Sequence, residues 1–144
     1  MTITEKLSHL TAITILILFD EVLKENEDMI LDMNRDQMYE DGTVNVEVPN
    51  GREQYAPSTI KAKRKAPFPK TDFITLKWFG TFYSEMKLII FRDYFVIQSD
   101  NSVWANFLEP QNRFGKALGL TERSKDTLRE LSLGEMIKKI KDEL

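Results

Sequence analysis

The chain has 144 residues, 42% of them apolar and 30% charged, with a net charge of −3, which fits one globular domain over residues 1–144. It has no cysteine and a single histidine, His9, which excludes disulfides and thiol chemistry and leaves little scope for zinc sites or catalytic triads. The longest apolar run, residues 12–19, is followed by acids and falls short of the about 20 residues that span a bilayer. We therefore expect a cytoplasmic product with no membrane partner.

The first predicted element is a long helix from about Thr11 to Tyr39, which contains neither glycine nor proline and should close near Gly42. Two apolar series with a seven-residue period, offset by three, predict a packing seam. They are Leu16, Leu23 and Ile30, and Phe19, Asn26 and Met33. Two interpretations stay open: a core helix lying on its own sheet, or a helix packed against another subunit with Asn26 setting the register.

The charges are unevenly distributed along the chain. Residues 20–47 hold ten acids and two bases, a net charge of −8, whereas residues 52–77 have a net charge of +5. Such polarity fits contact between copies or with an oppositely charged partner, and it equally fits two solvated faces of one domain. The charged residues that we predict at an interface are Asp28, Asp32, Asp36, Lys61, Lys63, Arg64 and Lys65.

A sheet-rich core is predicted over residues 43–110. Residues 44–48 alternate between apolar and polar side chains, and residues 86–91 and 95–99 read as a hairpin, so we expect one antiparallel sheet with the N-terminal helix across one face. A short helix should follow Pro57 and end near residue 65. Its four bases, at 61 and 63–65, are expected to face solvent or a partner.

An aromatic segment, residues 73–83, precedes the hairpin and contains Gly80 as a potential bend. Side chains alternate along a strand, so its rings cannot all point inward from one strand. We predict that Phe82 belongs to the core and that Trp78 lies at an interface, because aromatic anchors are enriched at binding hot spots.

The C-terminal segment, residues 111–144, is predicted to be helical. Thr121 is a suitable N-cap for a helix that reaches about residue 131. A second helix should cover residues 133–144, and Gly134 either breaks or bends the pair. The predicted fold class is therefore α+β, a small antiparallel sheet packed against a long N-terminal helix with C-terminal helices.

Motifs that carry chemistry are missing from the sequence. It contains no calcium loop, no phosphate loop ending in GK[ST] and no G-x-S-x-G, so we predict no enzyme, no metal and no cofactor. Acidic pairs such as Asp32 and Asp36 are suited in principle to a cation, but an exposed helix face explains them better. The basic residues 61–65, near Tyr55 and Phe68, leave a nucleic-acid-associated or adaptor module of a mobile element as the alternative function.

Residues 55–60 read YAPSTI, and they are followed by Lys61, Lys63, a proline-containing loop and the stretch TLKWFGTFY at residues 75–83. With QMYEDG at residues 37–42, this order resembles the phage virion-morphogenesis or tail-completion proteins. In that family an aromatic residue and P-S-T precede a lysine, and T-L-x-x-T-G-x-F/L leads into an antiparallel hairpin.

The resemblance covers roughly residues 30–122 and includes the LGLT of residues 118–121. Phe79 departs from it where relatives carry Thr, and Trp78 where an Asp is frequent. It implies an α+β structural subunit that forms a ring at the head–tail connector, neck or tail terminus. The implied partners are other copies, portal or connector subunits and tail-tube subunits, and the basic residues 61–65 also allow transient DNA contact. The implied location is the virion, or the host cytoplasm during assembly.

Overall fold

The computed structural model of the chain describes residues 2, 5, 12–102, 104 and 116–143. Five helices and two strands follow one another within these residues. They are α1 (Ala12–Glu25), α2 (Glu27–Tyr39), α3 (Pro57–Lys63), α4 (Thr81–Ser84), β1 (Met86–Ile90), β2 (Phe95–Ser99) and α5 (Glu122–Glu143). The mixed α+β class is confirmed.

The predicted long N-terminal helix is wrong as one continuous element, because α1 and α2 are separated at Asn26. This residue has φ −110° and ψ 17°, outside the helical region. Its side-chain amide donates to the carbonyl of Val22 at 2.8 Å and to Glu135 Oε2 at 2.7 Å. An asparagine amide that bonds nearby backbone competes with the helical ladder. The apolar seam itself is confirmed at Leu23 and Ile30, which are buried.

The end of α2 follows the prediction that the chain turns at Gly42. This glycine has φ +69°, and a Cβ added to it would lie 2.6 Å from a ring carbon of Phe73. Glycine is required there both by the left-handed backbone and by the close approach of the aromatic ring.

The predicted hairpin is confirmed as an antiparallel pair whose register runs from Met86 opposite Ser99 to Ile90 opposite Phe95. Strand β1 also packs against α1 and α2. The third predicted strand, residues 44–48, is wrong, since this segment forms turns. Asn45 Oδ1 accepts the N–H of Glu47 at 3.0 Å, which is an Asx turn that replaces the extended conformation.

The C-terminal segment holds a single helix of 22 residues, α5, and not the two helices predicted. Thr121 is confirmed as its N-cap, because Thr121 Oγ1 accepts the N–H of Ser124 at 3.3 Å. Gly134 lies inside α5, where its cost of about 1 kcal/mol is too small to end a helix that packs along α1. The start of the predicted C-terminal segment, residues 111–115, lies outside the described residues.

Buried amides on α2 hold the segment before α5. Asn34 donates to the carbonyl of Ala117 at 2.9 Å and accepts the N–H of Gly119 at 2.8 Å. Gln37 donates to the carbonyl of Gly119 and accepts the N–H of Thr121, each at 3.0 Å. Both side chains are thus satisfied, as buried polar groups require. None of the helices in the described part of the chain is long and apolar enough to cross a membrane.

Candidate functional site

Residues 77–81 separate two cavities, and we call this segment the aromatic ridge. Gly80, with φ +88°, turns the chain into α4. Phe79 is 64% exposed, and Trp78 is half-buried with its ring centroid 6.4 Å from that of Phe79. A large ring exposed to this extent is costly to hydrate, so the ridge offers an anchor for another surface.

One side of the ridge borders an apolar pocket of about 720 Å³. Its walls come from the segment before α3, α3 itself, the segment before the ridge, the ridge, α4 and the residue Asn101 after β2. They include Tyr55, Thr59, Ile74, Leu76, Trp78 and Phe82. Phe82 is buried in the core, as predicted, and Trp78 lines the pocket. This pocket is suited to apolar side chains.

The other side of the ridge borders a cleft of about 650 Å³, the acidic cleft, which is lined by Asp32 and Asp36 of α2 and by Glu40 directly after it. Arg35 Nη1 pairs with Asp32 Oδ1 at 2.9 Å, and Arg35 Nε donates to the carbonyl of Tyr83 at 3.1 Å. Asp36 and Glu40 have no ion-pair partner within the described residues. With Arg35 and Lys77 also in its lining, the cleft keeps an excess of one negative charge for a cation from outside.

Lys77 joins the aromatic ridge to three aromatic rings that line the acidic cleft. Its ammonium lies 4.2 Å from the ring centroid of Phe68, 4.9 Å from that of Tyr39 and 5.1 Å from that of Tyr83. Cation–π contacts of this kind stabilise by about 0.5–2 kcal/mol each. The Tyr83 hydroxyl donates to the carbonyl of Thr75, and burial raises the pKa of this phenol, so the hydroxyl stays protonated and the base of the ridge stays fixed.

The basic segment contradicts one prediction, because Lys63 faces the interior with 0% of its surface exposed. Its ammonium donates to the carbonyls of Phe68 and Lys70, the latter at 2.8 Å, and lies 5.5 Å from the ring centroid of Tyr55. Burial, followed by repulsion from Lys70, lowers the pKa of Lys63. The long aliphatic stem allows a lysine to be buried where backbone carbonyls receive its head group.

The remaining bases of this segment, Lys61, Arg64 and Lys65, are exposed as predicted. They make no ion pair with any described residue. Three unpaired bases at the end of α3 therefore form a small basic surface, although Lys63 is missing from it.

The structure brings together only some of the predicted interface residues. Asp32 and Asp36 share the acidic cleft with Phe79, whereas Trp78 lies in the apolar pocket on the other side. Asp28 is exposed but does not line the cleft. The sequence interpretation missed Lys77, because the rings that it contacts are not its neighbours in the sequence.

Within the described residues, no group of three histidine, cysteine, aspartate or glutamate side chains is placed to hold a metal ion. An exposed ring, an apolar pocket and a carboxylate-lined cleft in one row fit a protein surface that carries an apolar side chain and a base.

Comparison with protein-family models, curated proteins and solved structures finds no match for the chain. The resemblance to tail-completion proteins therefore stays a prediction from the sequence.

Proposed function

We propose that the chain is a structural subunit of a tailed phage or prophage particle, at the head–tail connector, neck or tail terminus, and that it acts by protein–protein assembly. The observation that carries the assembly role is the 64% exposure of Phe79, between an apolar pocket and an acidic cleft. Hot spots of protein interfaces are aromatic or arginine residues next to pockets, surrounded by polar rims.

Unpaired charges of opposite sign support contact between copies. Asp36 and Glu40 in the acidic cleft, and Lys61 and Lys65 on the basic surface, have no ion-pair partner among the described residues. A ring contact joins two different surfaces of identical subunits, so one copy's basic surface can meet the next copy's cleft. Complementary charge then steers encounter and fixes register.

The position in a particle rests on the sequence resemblance. The proposed partners are copies of the chain in a ring, portal or connector subunits and tail-tube subunits, with transient contact to passing DNA. The proposed location is the virion, with the host cytoplasm during assembly.

One observation favours the alternative, a nucleic-acid-associated or adaptor module: Lys61, Arg64 and Lys65 are exposed and unpaired within the described chain. If three bases contact phosphates, the binding constant should fall as salt is added. A plot of its logarithm against the logarithm of the salt concentration should then have a slope of about −3. A filter-binding titration that shows no retention of DNA or RNA at low salt rejects this alternative.

The test of the main proposal compares two exposed apolar residues. Phe79→Ser removes the anchor, and Val48→Ser, at a residue that is 53% exposed and lines none of the cavities around the ridge, is the control. We expect Phe79→Ser to lower incorporation into particles about tenfold or more, the effect of losing a hot spot, with no change in the thermal melt.

Mass spectrometry of isolated particles provides the readout. If the wild-type chain is absent from particles, the virion role is wrong. If the chain is present and Phe79→Ser is incorporated as well as Val48→Ser, the virion role stands and the ridge is not its interface.

A further inference from the structure

A third cavity lies between the hairpin and α5. It has a volume of about 690 Å³, and we call it the β2-edge groove. Its hairpin wall is the continuous stretch of residues 93–97, and its helix wall includes Leu128, Ser132, Leu133 and Met136. Side chains alternate along a strand, so a wall of consecutive residues means that the groove runs along the strand's edge.

On the edge of β2 that faces this groove, some main-chain groups have no hydrogen-bond partner among the described residues. The N–H of Phe91 bonds the carbonyl of Tyr94 at 2.8 Å, and the N–H of Asp100 bonds that of Glu85 at 3.2 Å. Hydrogen-bonded pairs alternate in an antiparallel ladder, so the main-chain groups of Phe95 and Ile97 point away from β1. No other described residue forms a hydrogen bond with them.

The helix wall of the groove also holds a polar group in need of a partner. Ser132 is 3% exposed, and its Oγ has no hydrogen-bond partner among the described residues. A buried hydroxyl on a helix normally bonds a carbonyl one turn earlier or another acceptor. Ser132 lies between the apolar Leu128 and Met136 in the groove wall, so its hydroxyl is next to any carbonyl that enters the groove.

The charges at the groove favour an acidic occupant next to α5. Lys125 and Arg129 line the helix side, while the acids that they pair with, Glu122 and Asp126, do not line the groove. Asp93 lies on the opposite, hairpin side. The electrostatic match is therefore a carboxylate placed on the side of the segment that faces the helix.

We propose that the β2-edge groove binds an extended apolar segment of a partner protein, which adds to β2 as a third strand and carries an acidic residue opposite Lys125 and Arg129. The proposal follows from three features together: the free strand edge, the apolar walls with the unpaired Ser132 hydroxyl, and the basic rim. Strand addition uses main-chain bonds for affinity and the groove for side-chain selection. A third strand would also stabilise the β1–β2 hairpin, because a two-stranded sheet by itself is only marginally stable.

A fluorescein-labelled hexapeptide of alternating valine and threonine, with one glutamate in place of a threonine, is the probe for fluorescence anisotropy. We expect the wild-type chain to bind it. A peptide N-methylated at the residues that pair with β2 should bind about tenfold more weakly, since each lost hydrogen bond reduces affinity several-fold. A peptide with lysine in place of glutamate should also bind more weakly.

Two substitutions on one helix provide the matched comparison. Leu133→Glu alters a groove residue that is 61% exposed, and Leu131→Glu alters a neighbour that is 38% exposed and does not line the groove. We expect Leu133→Glu to reduce probe binding about tenfold or more and Leu131→Glu to leave it unchanged, with equal thermal melts.

Three outcomes overturn the proposal. The first is that the glutamate peptide does not bind at concentrations up to about 1 mM. The second is equal binding of the N-methylated peptide, which shows apolar capture without strand pairing. The third is self-association of the wild-type chain that Leu133→Glu abolishes, which identifies a second copy as the occupant.

Discussion

The acidic helix α2 and the basic segment around α3 both carry many charges, but they differ in how many of their charged side chains are buried. The predicted acidic residues Asp28, Asp32 and Asp36 are all exposed, whereas one of the four predicted bases, Lys63, is fully buried. The acids recur every four residues, which keeps them on one helix face. Lys63 lies two residues after Lys61, which places it on the opposite side of the helix. The position of a charged residue around the helix axis, and not the number of charges near it, therefore determines whether it is buried.

The largest effect that tests this comparison is the loss of Lys63. Lys63→Ala leaves the carbonyls of Phe68 and Lys70 without their donor and opens a cavity, so we expect a loss of about 2–4 kcal/mol in the free energy of unfolding. Lys65→Ala, at an exposed neighbour, should cost less than about 0.5 kcal/mol. Urea unfolding measures both. Equal costs for the two variants would show that the buried position has no structural role.

A pH titration sharpens the comparison with a smaller effect. The ordinary pKa of 10.5 applies to Lys63 in the unfolded chain, and burial together with Lys70 lowers the folded value. Between the two values the unfolded chain binds the extra proton, so the free energy of unfolding rises with pH through that window and levels off above 10.5. One proton gives a slope of at most about 1.4 kcal/mol per pH unit.

The control for this titration is Lys63→Met, which keeps most of the side-chain volume and cannot titrate. The wild type should gain stability relative to Lys63→Met as the pH rises toward 10.5. Parallel stability profiles for the two proteins would mean that the folded chain does not perturb this lysine.

The smallest effect on stability is expected from the exposed bases. Lys61→Glu/Lys65→Glu should change the free energy of unfolding by less than about 0.5 kcal/mol, because both side chains are exposed and unpaired within the described chain. If the basic surface meets an acidic cleft, the same variant should slow particle assembly, most strongly at low ionic strength. Unchanged assembly across a salt series would reduce the basic surface to a solvated face.

Local signals in the sequence predicted the parts of the fold that depend on neighbours in the chain. The hairpin was predicted from two mainly apolar segments on either side of residues 92–94. The end of α2 was predicted from Gly42, and the start of α5 from Thr121. In each case the residue type and its immediate neighbours determine the backbone conformation.

The errors fall where a distant partner decides. Asn26 interrupts the N-terminal helix and bonds Glu135, 109 positions away, and the segment that turns at Asn45 is held by a bond from the N–H of Val46 to the carbonyl of Lys116. The candidate site shows the same limit. Trp78 was predicted, but the exposure of Phe79 depends on how Gly80 and the distant cleft orient the ridge. Sequence periodicity carries no information about such long-range contacts.

The pairing of α1 with α5 has a consequence for how the chain folds. Lys139 Nζ contacts Glu25 Oε1 at 2.8 Å across 114 positions of sequence, so this pairing closes a very long loop. Contacts of high sequence separation lose the most chain entropy before they contribute, which slows folding. The β1–β2 hairpin, joined by a four-residue connection, closes on a microsecond scale of about 1–10 μs. We therefore expect a kinetic order in which the hairpin forms early and the two helices dock last.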